Sequence, residues 1–250
     1  STKRHFFVDL ESNKENKEIN FHLETVSNDT YLKENNIESS INNDVSLLYS
    51  YLNYSSNKTD SSLEISFETY EDLNKGKTDR FEYIFPNFDY EKNLNSDDLS
   101  AKGELIFNTR GFNKNYNTNS DETILINELQ YFSFSSISSY IDGLQNNYKF
   151  LLRNLNSNTQ NSTNFRDGDD QQLLSTIVFE SNLPLKKTNQ KFDSYLTPKF
   201  SARYSPNSTK NNSNLNQTIT YENIFSLDRI DDSAVEGGES LTLGIEYSSK

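Results

Sequence analysis

The residue types that carry most enzyme chemistry are scarce in this chain. Cysteine is absent, which excludes a thiol nucleophile, a disulfide framework and a thiolate metal site. The two histidines are His5 and His22, and a histidine-dependent lipid hydrolase would need one of them beside a reactive serine. No sequence context marks such a serine. We therefore predict that the chain is not an enzyme and uses no cofactor.

Acidic side chains cluster in two loops that could supply oxygen ligands to Ca²⁺. These are RDGDDQQ at 166–172 and DRIDD at 228–232. Neither has the Asp-x-Asp-x-Asp-Gly spacing of a calcium-binding loop. We interpret both as solvated turns and predict no metal site.

The remaining candidate site residues are polar side chains that alternate with apolar ones. Strict alternation occurs at 19–25, 63–69, 196–204 and 241–247. A period of two is typical of strands with one apolar and one polar face. The candidates on the polar faces are His22, Glu24, Glu64, Glu68, Lys199, Arg203 and Glu246.

These residues would be positioned by strands, because strand-length segments separated by polar loops fill the chain and predict an all-β fold. The segment 137–155 also has near-helical spacing of apolar residues, but Asp142-Gly143 and Asn146-Asn147 favour turns. We predict a hairpin there, with a helix as the alternative. The predicted strands are 3–10, 17–26, 45–54, 62–70, 80–90, 101–109, 122–137, 147–155, 173–183, 192–205, 217–227 and 240–249.

The composition separates the possible classes of β-protein. The net charge of −13 opposes binding to nucleic acid, and 13% aromatic residues argue against disorder. No apolar run is long enough for a transmembrane helix, but a membrane β-strand needs only about 9–11 residues. A soluble β-sandwich would bury the apolar faces, whereas a membrane barrel would turn them to lipid. Aromatic residues at the ends of apolar faces and charges along the polar faces favour the barrel.

We therefore predict an antiparallel transmembrane β-barrel, with residues 1–250 forming part of a single barrel domain. The pattern predicts roughly 10–12 strands, and the family resemblance given below implies that they are part of a larger barrel, so that the chain would be an incomplete barrel or an open curved sheet in isolation. The seven polar-face residues would then face the lumen.

The end of the chain combines an arginine with a pair of glycines. Arg229 lies beside Asp228 and shortly before Asp231 and Asp232, carboxylates that could form charge-assisted hydrogen bonds. We predict that Asp228 and Arg229 anchor a loop at the barrel wall or rim. Gly237-Gly238 predicts a turn that needs positive φ before the last strand.

Three stretches of the chain resemble the LPS-assembly outer-membrane protein family (LptD, or OstA-type). They are FHLETVSNDTYLKE at 21–34, YLTPKFSARYSP at 195–206 and NIFSLDRIDDSAVEGGESLTLGIEY at 223–247. The residues that carry the resemblance are Val26, Ser27, Asp29, Tyr31, Leu32, Leu196, Pro198, Lys199, Arg203, Tyr204, Pro206, Leu227, Asp228, Arg229, Ile230, Leu241, Thr242, Gly244 and Ile245.

The resemblance implies a role in the outer membrane of a Gram-negative cell. Proteins of this family insert lipopolysaccharide (LPS) into the outer leaflet without an enzymatic step. The implied partners are LPS, outer-membrane lipid, a plug lipoprotein in the barrel and the periplasmic bridge proteins that deliver LPS. The family's periplasmic jellyroll domain and the remaining barrel strands would lie outside this chain. The alternative is a secreted or surface β-sandwich that binds glycans or mediates adhesion.

Overall fold

In a computed structural model the chain forms a β-sheet protein. The structure describes residues 4–37, 46–76, 79–116, 119–138, 140–163, 165–188, 193–208, 218–230 and 234–249. The elements in chain order are β1 (His5–Lys14), β2 (Lys17–Val26), α1 (Tyr31–Glu34), β3 (Leu47–Asn57), β4 (Ser61–Asp72), β5 (Phe81–Asn93), α2 (Asp97–Ser100), β6 (Gly103–Tyr116), β7 (Ser120–Ser133), β8 (Ser136–Ile137), β9 (Gln145–Gln160), β10 (Gly168–Asn182), β11 (Leu185–Thr188), β12 (Asp193–Ser205) and β13 (Gly238–Ser249).

The strands form one antiparallel sheet of 13 strands, which confirms the predicted all-β class. Their order is β1-β2-β3-β4-β5-β6-β7-β9-β10-β12-β11, with β13 also paired to β12 and β8 paired to β9. Sequence neighbours pair along most of this order, as expected for strands joined by short turns. The count exceeds the predicted 10–12 because β8 and β11 are short additional strands.

The structure decides two predictions about individual segments, one at 137–155 and one at 217–227. Residues 137–155 form a hairpin, since β8 pairs antiparallel with the start of β9 through Ser136↔Asn146 and Ile137↔Gln145. The predicted strand at 217–227 is wrong, because residues 218–230 form turns and bends. Cationic side chains bind its backbone carbonyls, so these groups are not available for a strand ladder.

The chain divides into two compact units. Unit 1 comprises Ser1–Lys92, Asn108–Asn127 and Leu155–Gln171, and unit 2 comprises Asn93–Phe107, Glu128–Asn154 and Gln172–Lys250. The buried apolar clusters of unit 1 are Leu32, Leu48 and Leu73, and Ile124, Ile126 and Leu155. The buried apolar cluster of unit 2 is Leu151, Leu174, Val178, Leu227 and Val235.

Burial on β13 and β2 is inverted relative to a water-soluble sheet, whereas β7, β9 and β10 also bury apolar side chains such as Ile126, Leu151 and Val178. On β13 the apolar side chains Leu241 and Leu243 are 76% and 82% exposed, whereas Thr242 between them is 8% exposed. On β2, Ile19 is 44% exposed and His22 is 0% exposed. Among the described residues, fifteen buried residues are polar or charged and twelve are hydrophobic. The predicted alternation is therefore present, with its polar side turned inward.

Two helices are described, α1 and α2, each four residues long. Within the described residues, no helix is long and apolar enough to cross a membrane.

Candidate functional site

The buried polar face of unit 1 is organised around His22. Asp9 on β1 lies opposite His22 on β2, and its carboxylate contacts the imidazole Nδ1. On the other side of the ring, Nε2 lies 3.2 Å from Glu24 Oε1, an ion-pair contact without hydrogen-bond geometry. The ring also stacks on Tyr51 at a centroid distance of 5.6 Å. Carboxylates on both sides and an aromatic neighbour hold the imidazole in one orientation.

Glu24 replaces backbone pairing where β2 and β3 separate. The ladder between these strands runs from Lys17↔Ser56 to His22↔Tyr51. Beyond it, Glu24 Oε2 accepts a hydrogen bond from the backbone N–H of Tyr49 at 3.1 Å. The backbone N–H of Glu24 donates to Ser50 Oγ at 3.0 Å. Because a buried backbone N–H without a partner is costly, the Glu24 carboxylate is structural here.

Glu68 accepts hydrogen bonds from three hydroxyl groups on the same face. The hydroxyls of Tyr70 and Tyr49 donate to its Oε2 at 2.8 Å and 3.3 Å, and Ser66 donates to its Oε1. The rings of Tyr49 and Tyr70 stack at 4.6 Å. Three hydroxyl donors and two carboxylate oxygens are thus satisfied within β3 and β4, and Glu68 links the tyrosine pair, which has one member on each strand.

Glu64 occupies an open part of the unit 1 polar face. It lines a cavity of about 320 Å³ and is itself exposed. Strand pairing brings Glu64 opposite Ser55 and Asp89. The charged side chains lining the cavity are all carboxylates, so this surface is acidic. They are Glu18, Glu64, Glu68 and Asp89.

The loop after β2 holds the residues that carry the first stretch of the family resemblance. Asp29 accepts two hydrogen bonds from the Arg80 guanidinium, at 3.0 and 2.8 Å, and Glu71 accepts a third at 3.3 Å. These bonds, with Asp29 the largest contributor, raise the pKa of Arg80 above its ordinary value. Leu32 of α1 is 1% exposed and packs with Leu48. This loop is therefore fixed by an ion pair and an apolar anchor.

In unit 2 the predicted polar-face residues lie on β12 and β13. Lys199 forms an ion pair with Glu246, whose side chain is mostly exposed. Arg203 is 7% exposed and donates from Nη2 to the backbone carbonyls of Ser226 and Leu227. Its Nη1 lies 3.4 Å from Thr176 Oγ1. Within the described part of the chain, Arg203 has no carboxylate at ion-pair distance.

A buried ion-pair network was missed from the sequence. Arg153 on β9 is 1% exposed, and its Nε donates to Glu128 Oε2 on β7 at 2.6 Å. Its Nη2 pairs with the carboxylate of Asp228, and its Nη1 donates to the carbonyl of Ala234 at 3.2 Å. Leu151 and Leu155 lie on the same face of β9 and are equally buried. The sequence signal is weak because the inward face of β9 mixes leucine with arginine.

The non-strand residues between β12 and β13 contact this network. We call residues 218–230 and 234–237 the covering segment. Within it, Arg229 is 5% exposed and pairs with both carboxylate oxygens of Glu236, at 2.6 and 2.9 Å. It also donates to Ser240 Oγ at 2.7 Å on β13. Asp228 pairs with Arg153, so the two predicted anchor residues have different partners, and Asp231 and Asp232 lie outside the described residues.

Four successive carbonyls of the covering segment accept hydrogen bonds from cationic side chains. Ile224 accepts from Arg229 at 3.0 Å and Phe225 accepts from Lys149 at 3.2 Å. Ser226 and Leu227 both accept from Arg203. The segment therefore lies on the polar face of β9, β10, β12 and β13, and its backbone is held by side chains.

The two predicted turn glycines have different roles. Gly238 has φ of +91°, as predicted for a residue that closes the loop. Gly237 is needed for a close approach, because a Cβ there would overlap the carbonyl oxygen of Asn207. Gly244 has a similar steric role on β13, since a Cβ would lie 2.8 Å from the Phe225 ring.

The structure thus brings His22, Glu24 and Glu68 together with tyrosines in unit 1, and places Glu64 in the adjacent open cavity. In unit 2 it brings Arg203, Asp228 and Arg229 under or within the covering segment.

No protein-family model matches the chain, and no curated protein matches it. The relation to the LPS-assembly family therefore stays a prediction from the three stretches of sequence.

Proposed function

We propose that this chain is part of the wall of an outer-membrane β-barrel of the LPS-assembly type. In this role it conducts LPS to the outer leaflet without chemical catalysis. The polar face lines an interior that accommodates saccharide and a plug lipoprotein, and the apolar face contacts membrane lipid.

The observation that carries the proposal is the inverted burial of β13 and β2, whose apolar side chains are exposed and whose polar side chains are buried. A soluble sandwich gains its stability by removing apolar faces from water, at about 25 cal/mol per Å². Here the apolar face of β13 is 66–82% exposed at Leu241, Leu243, Ile245 and Tyr247, and that of β2 is 44% exposed at Ile19. Lipid is the solvent in which such faces are stable, and a polar interior is the matching arrangement.

The LPS assignment adds the family resemblance to this physical argument. The residues that carry the resemblance lie in the loop after β2, on β12 and β13, and in the covering segment. Asp29 and Leu32 fix the loop after β2, and Arg203, Asp228 and Arg229 fix the covering segment. The role requires no nucleophile, since moving an amphipathic lipid needs a polar path beside an apolar one.

The membrane proposal is tested by folding the chain with and without an apolar solvent. We expect folded, monomeric protein in detergent micelles or lipid vesicles, and aggregation in buffer alone. Circular dichroism and analytical ultracentrifugation measure both outcomes. A monomeric, folded chain in plain buffer would contradict the membrane location and favour the sandwich alternative.

The LPS proposal is tested separately by site-specific photocrosslinking in Gram-negative cells. A photoreactive residue replaces Glu64 on the polar face or Leu52 on the apolar face, which is 41% exposed. We expect LPS adducts through the saccharide at position 64 and phospholipid adducts at position 52. Membrane insertion with no LPS adduct at position 64 would leave the barrel intact and remove the LPS role.

A further inference from the structure

Arg203 is an unusual buried cation. It is 7% exposed, and its described acceptors are two backbone carbonyls and one hydroxyl. Burial lowers a guanidinium's preference for the charged form unless an anion compensates, and a buried charge without a paired anion is costly. The other buried arginines of unit 2 both have carboxylate partners, Glu128 for Arg153 and Glu236 for Arg229. Among the described residues, Arg203 therefore has no carboxylate at ion-pair distance, and Glu236, Asp228 and Glu180 act on its charge only from farther away.

Two further cations lie close to Arg203. Lys149 binds the carbonyl of Phe225, Arg203 binds those of Ser226 and Leu227, and Arg153 binds the carboxylate of Asp228. These acceptors belong to four consecutive residues, which span at most about 11 Å of chain. The three cationic groups thus converge beneath one short stretch of the covering segment. Two arginines and a lysine form a suitable site for a phosphate group.

The covering segment occupies this site as an anionic ligand would. Its described charged groups are Glu222, Asp228, Arg229 and Glu236, three carboxylates against one arginine. The cations beneath it are Lys149, Arg153 and Arg203, with Glu128 and Glu180 as their partners on the sheet. The described part of the covering segment therefore carries a net negative charge, and the charged strand residues beneath it carry a net positive charge.

The part of the segment over the cations is not tied to the sheet by a strand ladder. In the described part of the chain, residues 218–227 make two backbone–backbone hydrogen bonds, Ile224 N–H to Thr220 and Ser226 N–H to Asn223. Both lie within the segment. The contacts that hold it down are the cation–carbonyl bonds, the packing of Leu227, which is 6% exposed, and the contact of the Phe225 ring with Gly244 on β13. An anion that bound the cations would compete directly with those bonds.

We infer that the covering segment is a displaceable cover over an anion-binding site centred on Arg203, and that the site takes a phosphate group. The phosphate belongs either to free inorganic phosphate or to a phosphorylated lipid headgroup. The covered state is the resting state, because opening exposes Leu227 and breaks the bonds from all three cations. This inference is independent of the membrane location, since the site is formed within unit 2.

The test compares three full-length proteins in one detergent buffer. They are the parent, a loosened variant with Arg229→Gln and Glu236→Gln, and the loosened variant with Arg203→Gln added. The two substitutions remove the ion pair within the covering segment and leave Lys149, Arg153 and Arg203 unchanged. We expect inorganic pyrophosphate to bind the loosened variant at least about tenfold more tightly than the parent, measured by isothermal titration calorimetry. Adding Arg203→Gln should abolish the gain.

Phosphatidic acid in mixed micelles forms the second arm and distinguishes the source of the phosphate. Binding of pyrophosphate alone indicates a free phosphate ligand, and binding that requires phosphatidic acid indicates a lipid headgroup. Equal binding of both probes by parent and loosened proteins, or a gain that persists without Arg203, would overturn the inference.

A measurement on the parent protein avoids dependence on the folding of variants. Pyrophosphate should increase hydrogen exchange at the amides of Ile224 and Ser226 by about fivefold or more, against sodium chloride of equal ionic strength. Exchange in β3 (Leu47–Asn57) provides the internal reference and should not change. Unchanged or slowed exchange at 224 and 226 under saturating pyrophosphate would contradict displacement of the cover.

Discussion

The polar faces of the two units use the same strand alternation to build different surfaces. Unit 1 presents an acidic face, with a buried histidine and half-buried tyrosines around Glu24 and Glu68 and an open cavity beside Glu64. Unit 2 presents a cationic face, and the covering segment lies on it. The difference shows that a buried polar face needs partners. In unit 1 neighbouring strands supply them, and in unit 2 neighbouring strands and the covering segment supply them together.

The largest expected effect is at Arg153, which bridges the sheet and the covering segment. Arg153→Met removes the guanidinium that neutralises the buried Glu128 carboxylate, so we expect a loss of about 3–5 kcal/mol of unfolding free energy. Urea titration under the folding conditions of the parent measures the loss. Lys186→Ala is the matched control, since its pair with Asp193 is exposed and solvent-screened, and its removal should leave the unfolding free energy unchanged within error.

Adding Glu128→Leu to Arg153→Met removes the second buried charge of the pair. We expect this double variant to recover part of the stability, because two apolar side chains replace a buried ion pair. A single variant as stable as the parent would contradict the description of unit 2 as dependent on this network.

Arg229 tests the covering segment from its own side. Arg229→Ala leaves the Glu236 carboxylate without its bidentate partner, and we expect a loss of about 2–3 kcal/mol. Arg229→Lys keeps the charge but cannot make both bonds, so its loss should be intermediate. Limited proteolysis should cut both variants faster within 218–237 than the parent. An Arg229→Ala protein that folds and assembles as well as the parent would remove the predicted anchor role.

Substitution of Gly244 tests the packing of the Phe225 ring against β13. A Cβ at this position lies 2.8 Å from the Phe225 ring, so Gly244→Ala should cost about 1–3 kcal/mol through overpacking. Phe225→Ala in the same chain should relieve the clash, and the double variant should lose less than the sum of the single changes. Strict additivity in urea titrations would show that the ring does not rest on this glycine.

The smallest expected loss of stability is in unit 1, where a buried carboxylate and an exposed one can be compared directly. Glu24→Gln keeps the shape but weakens the contacts to His22 and to the Tyr49 N–H, with an expected loss of about 1–2 kcal/mol. Glu64→Gln in the open cavity should change stability by less than about 0.5 kcal/mol. Equal losses at the two positions would contradict the distinction between the buried network and the open cavity.

The strand pattern was predictable from the sequence because period-two alternation directly reflects which side of a strand each residue faces. It placed β13 and β2 correctly and identified the polar-face residues of both. The segment 217–227 was misassigned, since Ile219, Tyr221, Phe225 and Leu227 recur at the even spacing that is typical of a strand. Leu227 is buried in the apolar cluster of unit 2, and the carbonyls of residues 224, 225 and 227 accept hydrogen bonds from Arg229, Lys149 and Arg203. Sequence alternation does not report such side-chain partners.

The ion pairs were less predictable than the strands. Arg153 and Glu128 are distant in sequence, and each lies in a strand whose buried face is partly apolar. Arg229 was expected to use nearby acidic residues, and the partner that the structure gives it is Glu236. Partner choice depends on which loop residues reach the polar face, a property set by tertiary packing.

The direction in which the apolar faces point is the central claim, and the absence of tryptophan makes it directly measurable. Single tryptophans at Leu243, on the exposed apolar face, and at Glu64, on the polar face, would each be the only indole in the protein. In vesicles containing lipids brominated along the acyl chain, the account predicts strong quenching at position 243 and little at position 64. Equal quenching at both positions, or none at 243 in folded protein, would contradict it.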